Sequence, residues 1–269
     1  MPRRGARPAT LNVRDVGQGL AVLFLHAFPL HGGMWKRQLE TLSGRARLLA
    51  PDLPGCGLSP VPPSGGTPRS LDDYAREVLA ALDALDIDRV VLVGLGMGGQ
   101  VALRLVGELG ARLMGMLLSG TDVGAERDDI AARCHELAAE VEMAGIEVAA
   151  AEFLPKLLGV TTQRMRPALF DEVHAMICES TPVGIGAALR ALAARPDATP
   201  LLARIRCPVL CLAGEEDALT PPGLARASAE RLFAGRTEII PGAGHLTNLE
   251  APEAFADALQ ALLVQCSPV

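Results

Sequence analysis

Three features that would each indicate a particular class of protein are missing from the sequence. Basic residues are not in excess, since 25 Lys and Arg stand against 31 Asp and Glu, and the net charge is −6. A surface suited to nucleic acid or to an anionic membrane is therefore not expected. No apolar run reaches the length of a membrane span, and no apolar signal segment follows Arg3 and Arg4. We expect a soluble, cytoplasmic protein whose partner is a small molecule, and the sequence leaves its oligomeric state open.

Paired cysteine motifs are also missing. The six cysteines are Cys56, Cys134, Cys178, Cys207, Cys211 and Cys266. They form no C-x-x-C pair and no framework typical of a small secreted domain. Cys207 and Cys211 share one face of a predicted strand, where four residues at about 3.3 Å each separate them by about 13 Å, too far for a disulfide or a shared metal ion. We expect free thiols, no metal and no cofactor.

The first part of the chain alternates β-rich runs with amphipathic helical runs. Its 269 residues, 49% of them hydrophobic, suffice for one large α/β domain with an insertion. Strands are predicted at 11–16, 21–26, 46–53, 89–94 and 113–119, and helices at 71–85 and 98–109. The continuously apolar run 89–94 is typical of a central strand buried on both faces. This alternation predicts a largely parallel sheet covered by helices.

The alternation of predicted strands and helices stops in the middle of the chain. From about residue 123 to residue 200 the pattern is helical, and it contains no convincing strand. Alternation then resumes with predicted strands at 207–213 and 237–240 and predicted helices at 224–232 and 252–264. We therefore divide the chain into a first core segment (1–122), an inserted helical cap (123–200) and a second core segment (201–269) that completes the same sheet.

A glycine-rich turn, GLGMGG at 94–99, joins the predicted central strand to the next helix. It satisfies the dinucleotide pattern G-x-G-x-x-G, with Asp122 near the distance of a ribose-binding acid. That fingerprint normally follows the first strand of a domain, whereas several predicted strands precede it here. The same turn also matches the nucleophile elbow G-x-S-x-G, with Gly96 at the position of the serine.

Four other loops favour the second interpretation. In chain order they are LHAFPLHGGMW (25–35), PDLPGCGLSP (51–60), GEEDALTPP (214–222) and PGAGHLTNLEAPEAF (241–255). They resemble the HG-x-P, D-x-x-G-x-G-x-S, acid and histidine loops of the α/β-hydrolase superfamily, and they cover nearly the whole chain apart from 123–200. The resemblance implies an α/β-hydrolase fold, a mostly parallel sheet flanked by helices with an inserted helical cap. Small-molecule esterases and enol-lactonases are the members that the chain resembles.

The resemblance also assigns roles to individual residues. His245 corresponds to the general base, Asp217 to the acid that orients it, and Gly96 to the nucleophile position. The backbone N–H groups of Phe28 and Met97 correspond to the oxyanion hole, which the change to glycine leaves intact because these donors belong to the backbone. Among the remaining histidines, we expect His26 to pack or hydrogen-bond beneath the oxyanion loop, and His31, His135 and His174 to face solvent.

Several alternatives stay open at this stage. Gly96 excludes the acyl-enzyme route, whether it is an engineered knock-out or a natural residue. The main hypothesis is an enzyme for small esters or lactones that lacks its serine; the alternative is a non-hydrolytic His–Asp enzyme such as a lyase, cyclase or cofactor-free oxygenase. A catalytically inactive ligand-binding protein and a dinucleotide-binding oxidoreductase are weaker alternatives. Asp122 is the fallback acid, and Cys56 is a weak candidate nucleophile.

Overall fold

Seven strands of the computed structural model, which describes residues 11–61 and 67–266, form one sheet. They are β1 (Val13–Val16), β2 (Ala21–Leu25), β3 (Arg47–Pro51), β4 (Val90–Leu95), β5 (Leu113–Ser119), β6 (Val209–Gly214) and β7 (Gly235–Ile240). Their spatial order is β1-β3-β2-β4-β5-β6-β7. β1 pairs with β3 in the antiparallel sense, and the other five pairings are parallel. The mostly parallel α/β sheet is confirmed, and the antiparallel strand lies at its edge.

The central strands are buried on both faces, as their continuous apolar sequences predict. Every residue of β2, β4 and β6 is buried. Alternate side chains enter two separate cores: Leu23 and Leu25 pack on one side of the sheet, and Val22 and Phe24 pack on the other. β4 is fourth of the seven strands, which confirms the central position predicted from its sequence.

Helices cover both faces of the sheet. They are α1 (Lys36–Leu42), α2 (Leu71–Ala84), α3 (Met97–Leu109), α4 (Asp128–Ala144), α5 (Glu147–Leu157), α6 (Val160–Met165), α7 (Pro167–Cys178), α8 (Pro182–Ala193), α9 (Thr199–Leu202), α10 (Pro222–Glu230), α11 (Thr247–Glu250) and α12 (Pro252–Cys266). Buried residues of α2, α3 and α10 belong to one core, and those of α1 and α12 belong to the other. Among residues 11–61 and 67–266, no helix has both the length and the apolar character needed to cross a membrane.

The middle of the chain is helical. Residues 123–200 contain α4 to α8, the start of α9 and no strand, and α4 packs against both α8 and α5. This helical segment contacts the loop after β2: the Phe153 ring of α5 lies edge-on to the Phe28 ring, with centroids 5.0 Å apart. Phe28 follows β2, so the helical segment approaches the ends of the strands where the predicted site residues lie. That 123–200 forms a separate cap remains a prediction.

Candidate active site

Gly96 forms the tight turn between β4 and α3. Its backbone has φ 55° and ψ −116°, a conformation that residues with a side chain rarely adopt. The Gly96 N–H donates to the carbonyl of Ser119 at the end of β5 (2.9 Å), and the Gly96 carbonyl accepts from the N–H of Gly99 and of Gln100 (3.1 and 3.2 Å). The turn therefore has the sharp strand-to-helix shape of an elbow, and glycine adopts it without strain.

The other glycines of this turn allow close packing. A Cβ atom at Gly98 would overlap the carbonyl oxygen of Leu25 in β2, and one at Gly99 would overlap the hydroxyl of Thr121. A Cβ at Gly94 would lie 2.5 Å from the Cα of Gly99. Helix α3 thus begins against the carboxyl ends of the strands, and contacts inside the protein account for these glycines without a bound phosphate.

His245 and Asp217 come together beside this turn. Asp217 lies in the loop after β6 and His245 in the loop after β7; because both strands are parallel to β4, their carboxyl ends share one edge of the sheet. His245 Nδ1 lies 2.9 Å from Asp217 Oδ2. The other carboxylate oxygen, Oδ1, accepts the N–H groups of Leu219 and Thr220 at 2.9 and 2.8 Å. The Asp217 side chain has no exposed surface, so these bonds hold it as a fixed acceptor behind the imidazole.

The far side of the imidazole ring faces Gly96. An ideal Cβ placed on Gly96 would lie 2.8 Å from His245 Nε2. Gly120 also borders the ring: its φ is 48°, and a Cβ there would lie 2.9 Å from both Nδ1 and Cε1. Two glycines thus leave room for the His245 ring, which has one nitrogen on Asp217 and the other directed at Gly96.

The two backbone donors assigned to an oxyanion hole remain available. Met97 is the first residue of α3, so its N–H has no acceptor within the helix. Among the described residues, no protein group accepts a hydrogen bond from the N–H of Met97 or of Phe28. Met97 directly follows Gly96, and the Ala27 side chain next to Phe28 would lie 3.8 Å from a Cβ on Gly96. Both N–H groups thus belong to the backbone that borders the turn.

The weaker candidates, Asp122 as the acid and Cys56 as the nucleophile, lie elsewhere. The carboxylate of Asp122 bonds to Arg195 and to the N–H of Gly124, both at 2.9 Å, so the acid in contact with His245 is Asp217. Cys56 is 2% exposed, and burial raises the pKa of its thiol to about 12, which disfavours the thiolate needed for attack. Neither residue is part of the His245 arrangement.

A polar cluster centred on Asp52, near the loop that carries Phe28, was not predicted. The buried carboxylate of Asp52 accepts bonds from the Gly32 and Leu58 N–H groups and from the side chains of Asn12 and Arg14. These donors lie up to 40 residues away in the sequence, so spacing along the chain gives no signal of them. The cluster fixes the 52–59 loop against β1.

Two histidines border this cluster. His26 is buried as expected, and its Nε2 accepts the Leu53 N–H at 2.8 Å. His31 was expected to face solvent, which is wrong: it is 5% exposed, with Nε2 3.0 Å from a carboxylate oxygen of Glu179. Glu179 directly follows α7, so a residue of the 123–200 segment contacts the buried His31.

The helical segment also contacts the loop that carries His245. The carbonyl of Leu157, the last residue of α5, accepts the N–H groups of His245 and Leu246 at 3.1 and 3.2 Å. The carboxylate of Glu250 bridges the two parts, because it accepts the Gly159 N–H at 2.8 Å and the Leu246 N–H at 3.1 Å. The position of His245 thus depends on residues from 157–159 as well as on Asp217.

Comparison with known proteins agrees with this architecture. A family model described as "Alpha/beta hydrolase family" matches residues 22–258. A pimeloyl-[acyl-carrier protein] methyl ester esterase of Chromobacterium violaceum is 30% identical over 93% of this chain and 96% of its own length. The 3-oxoadipate enol-lactonase 2 of Acinetobacter baylyi is 25% identical over 96% of this chain and 94% of its own.

The solved structures include a close match in shape. A thermophilic esterase from Thermogutta terrifontis, solved with malate bound, superposes with a TM-score of 0.92 and 34% identity, covering 96% of this chain and 94% of the esterase. The family match spans most of the chain, and full-length relatives agree with it in both sequence and fold. On these grounds the chain belongs to the α/β hydrolase family.

Proposed function

We propose that this protein hydrolyses a small carboxylic ester or lactone by general-base catalysis, with His245 and Asp217 acting on water in place of a serine. The observation that carries the proposal is the direction of His245 Nε2, which faces Gly96 while Asp217 holds Nδ1. Esterases and an enol-lactonase among the full-length relatives support the substrate class. Gly96 supplies no oxygen, so the attacking group must come from outside the chain.

The reaction follows from the roles of these groups. His245 Nε2 takes a proton from water as the water oxygen attacks the substrate carbonyl, and Asp217 stabilises the imidazolium that forms. The negative charge on the former carbonyl oxygen is stabilised by the N–H groups of Phe28 and Met97, at the positive end of α3. When the tetrahedral intermediate collapses, His245 returns the proton to the leaving alcohol. Acid and alcohol are released with no covalent intermediate.

The same groups support a second function. A base and an oxyanion hole without a nucleophile can also remove a proton from a carbon next to a carbonyl and stabilise the enolate. Gly96 is the observation that favours this alternative, because proton abstraction requires no serine. A lyase, a cyclase or a cofactor-free oxygenase would use His245 and Asp217 in this way.

Hydrolysis of p-nitrophenyl acetate tests the main proposal. We expect slow steady-state release of p-nitrophenol without a burst, and no acetylated protein by intact-mass spectrometry. The rate should fall steeply in His245→Ala, to the residual catalysis that the oxyanion hole and substrate binding alone supply, and should also decrease strongly in Asp217→Asn, whereas exposed His135→Ala should match the wild type. An initial burst, an acetyl adduct, or a His245→Ala protein as active as the wild type would contradict the mechanism. Hydrogen–deuterium exchange into a carbonyl compound without ester cleavage would favour the alternative.

A further inference from the structure

Three different metal-binding side chains meet on the helical segment, away from His245. Glu147 is the first residue of α5, and His174 and Cys178 lie in the last two turns of α7. His174 Nε2 lies 2.9 Å from Glu147 Oε2, and Cys178 Sγ lies 3.5 Å from Glu147 Oε1 and 3.9 Å from His174 Nε2. One ligand atom from each residue lies within 4.8 Å of the other two.

The fold explains why these residues meet. His174 and Cys178 are four residues apart on one helix, which places both on the same face. Helices α5 and α7 pack together, and the beginning of α5 lies beside the end of α7. Each oxygen of the Glu147 carboxylate faces one of the two α7 side chains. The cluster is open to solvent, since the side chains of His174 and Glu147 are 42% and 69% exposed, so an ion could enter it directly.

The three side chains come close to the spacing of a tetrahedral zinc site. Bonds of about 2.3 Å to sulfur and about 2.0–2.2 Å to nitrogen or oxygen put neighbouring tetrahedral ligands roughly 3.3–3.6 Å apart. Cys178 Sγ lies 3.5 Å from Glu147 Oε1 and 3.9 Å from His174 Nε2, whereas the 2.9 Å distance from His174 Nε2 is to the other carboxylate oxygen, Oε2. A tetrahedral site would use one of these oxygens, so the exposed Glu147 side chain would rotate to bring a single oxygen to the ion; one atom from each residue lies within 4.8 Å of the other two. A mixed nitrogen, sulfur and oxygen set suits Zn²⁺, whereas Mg²⁺ and Ca²⁺ take oxygen ligands.

We propose that Glu147, His174 and Cys178 bind one Zn²⁺ ion, with water in the fourth position. This site is independent of the proposed hydrolase reaction. Its structural consequence is a link between α5 and α7. Helix α5 also carries Phe153, which packs on Phe28, and Leu157, whose carbonyl accepts the His245 N–H. The ion would therefore strengthen the helix that borders the proposed catalytic site.

The simpler interpretation is a surface ion pair between His174 and Glu147, with Cys178 nearby by chance. That pair needs no thiol and predicts no saturable binding of metal. Zinc binding, in contrast, requires all three side chains and deprotonates the thiol. The contribution of Cys178 to metal binding therefore separates the two interpretations.

Metal titration of the chelator-treated, tag-free full chain tests the proposal, with Co²⁺ as a spectroscopic probe and Zn²⁺ as competitor. We expect one equivalent of Co²⁺ to produce visible bands of a tetrahedral ion together with a near-ultraviolet thiolate-to-cobalt band, both removed by Zn²⁺. Cys178→Ser should abolish the thiolate band, and His174→Ala and Glu147→Gln should weaken Zn²⁺ binding by at least about 10- to 100-fold. Zn²⁺ should raise the thermal midpoint of the wild type but not of these three variants.

Cys134→Ser and His135→Ala are the matched controls, since both residues lie on α4 outside the cluster. They should bind Co²⁺ and Zn²⁺ like the wild type. Metal-free thermal midpoints and circular dichroism of all variants establish that each one folds. Wild-type protein that binds no metal at micromolar concentration, or Cys178→Ser and His174→Ala proteins that bind it unchanged, would reduce the cluster to an ion pair and overturn the proposal.

Discussion

The His245 ring leaves little room for a side chain at Gly96. The chain keeps the positive φ that presents a nucleophile in an elbow, but His245 Nε2 comes within 2.8 Å of the place where a side chain would begin. Carbon atoms do not approach ring nitrogens so closely. A residue larger than glycine would therefore strain the backbone and also displace the imidazole.

Two substitutions at Gly96 separate the stability cost of adding a side chain from the catalytic effect of adding an oxygen. Gly96→Ala and Gly96→Ser should each lower the free energy of unfolding by about 1–3 kcal/mol, because both place a side chain in a glycine-type conformation and against His245. Only Gly96→Ser supplies an oxygen that His245 can deprotonate. We expect it to show an acyl burst and a rise in turnover on the order of 10² or more with p-nitrophenyl acetate.

Urea unfolding measures the change in the free energy of unfolding, and stopped-flow release of p-nitrophenol measures the burst. Gly96→Ala is the control, since it has the same backbone and Cβ cost without the oxygen. A Gly96→Ser protein that folds but shows no burst would indicate that the site evolved away from acyl transfer, in favour of proton abstraction. Equal stability of all three proteins would contradict the strain argument.

Residues of the candidate site differ in how well the sequence predicts them. The resemblance to the α/β hydrolases singled out Gly96, Asp217 and His245 because each lies in a loop directly after a strand and those loops follow the family's order; the structure brings the three together. The bonds of Asp52 to Asn12 and Arg14 and the contact of His31 with Glu179 were not predicted, since these partners come from distant positions. His31, for example, meets Glu179 148 residues later. Local pattern carries no information on such pairs.

Secondary-structure elements were predicted where local chemistry and burial agree. Ser70 and Asp73 form a capping box at the start of α2, where the helix was predicted to begin, and β5 has the predicted bounds. Helix α1 was missed because it follows a short 3-10 turn and has no side-chain cap. β6 begins two residues later than predicted, at Val209, because Pro208 has no N–H to donate to a strand.

The turn after α5 and the loop that carries His245 are joined by hydrogen bonds, and this junction supports the proposed catalytic base. Glu250 accepts N–H groups from both sides of it, and the Gly159 donor is buried. Glu250→Ala should lower the free energy of unfolding by about 1–3 kcal/mol, because it leaves that donor unpaired. We also expect about a 10- to 100-fold lower kcat with little change in KM, since the His245 loop loses its support.

Glu253→Ala is a matched control, since Glu253 lies on the neighbouring helix and is exposed. It should leave both stability and turnover unchanged, and Glu250→Gln should recover part of the loss through its amide oxygen. Urea unfolding and steady-state kinetics are the measurements. If Glu250→Ala loses stability with no change in kcat, Glu250 has only a structural role.

At the scale of the whole molecule, buried ionisable groups couple folding to pH. Burial lowers the pKa of His26 from 6.5 to about 4, although the Ala27 carbonyl and Asp52 favour the charged ring; the neighbouring His31 and Arg14 lower it further. Burial also lowers the pKa of His31. The neutral His26 ring is what the fold requires, because its Nε2 accepts the Leu53 N–H. Protonation would turn that acceptor into a donor.

The direction of the pH effect follows from these shifts. Between pH 6.5 and about pH 4 the unfolded chain binds a proton at His26 that the folded chain does not, so the free energy of unfolding falls as the pH falls through this range. One pKa unit corresponds to about 1.4 kcal/mol, so His26 alone accounts for up to about 3 kcal/mol. Above about pH 7 the ring is neutral in both states and contributes no pH dependence.

His26→Gln tests this assignment, because its side-chain oxygen can accept the Leu53 N–H without titrating. Urea unfolding at about pH 7 and about pH 4.5 should show a smaller loss of stability on acidification in His26→Gln than in the wild type, by up to about 3 kcal/mol. The exposed His135→Gln should lose as much stability as the wild type. The wild type and His26→Gln share every other titrating group, and His135→Gln shows what the loss of an exposed histidine does, so the comparison isolates His26. An acid loss in His26→Gln equal to that of the wild type would show that other groups, His31 among them, cause it.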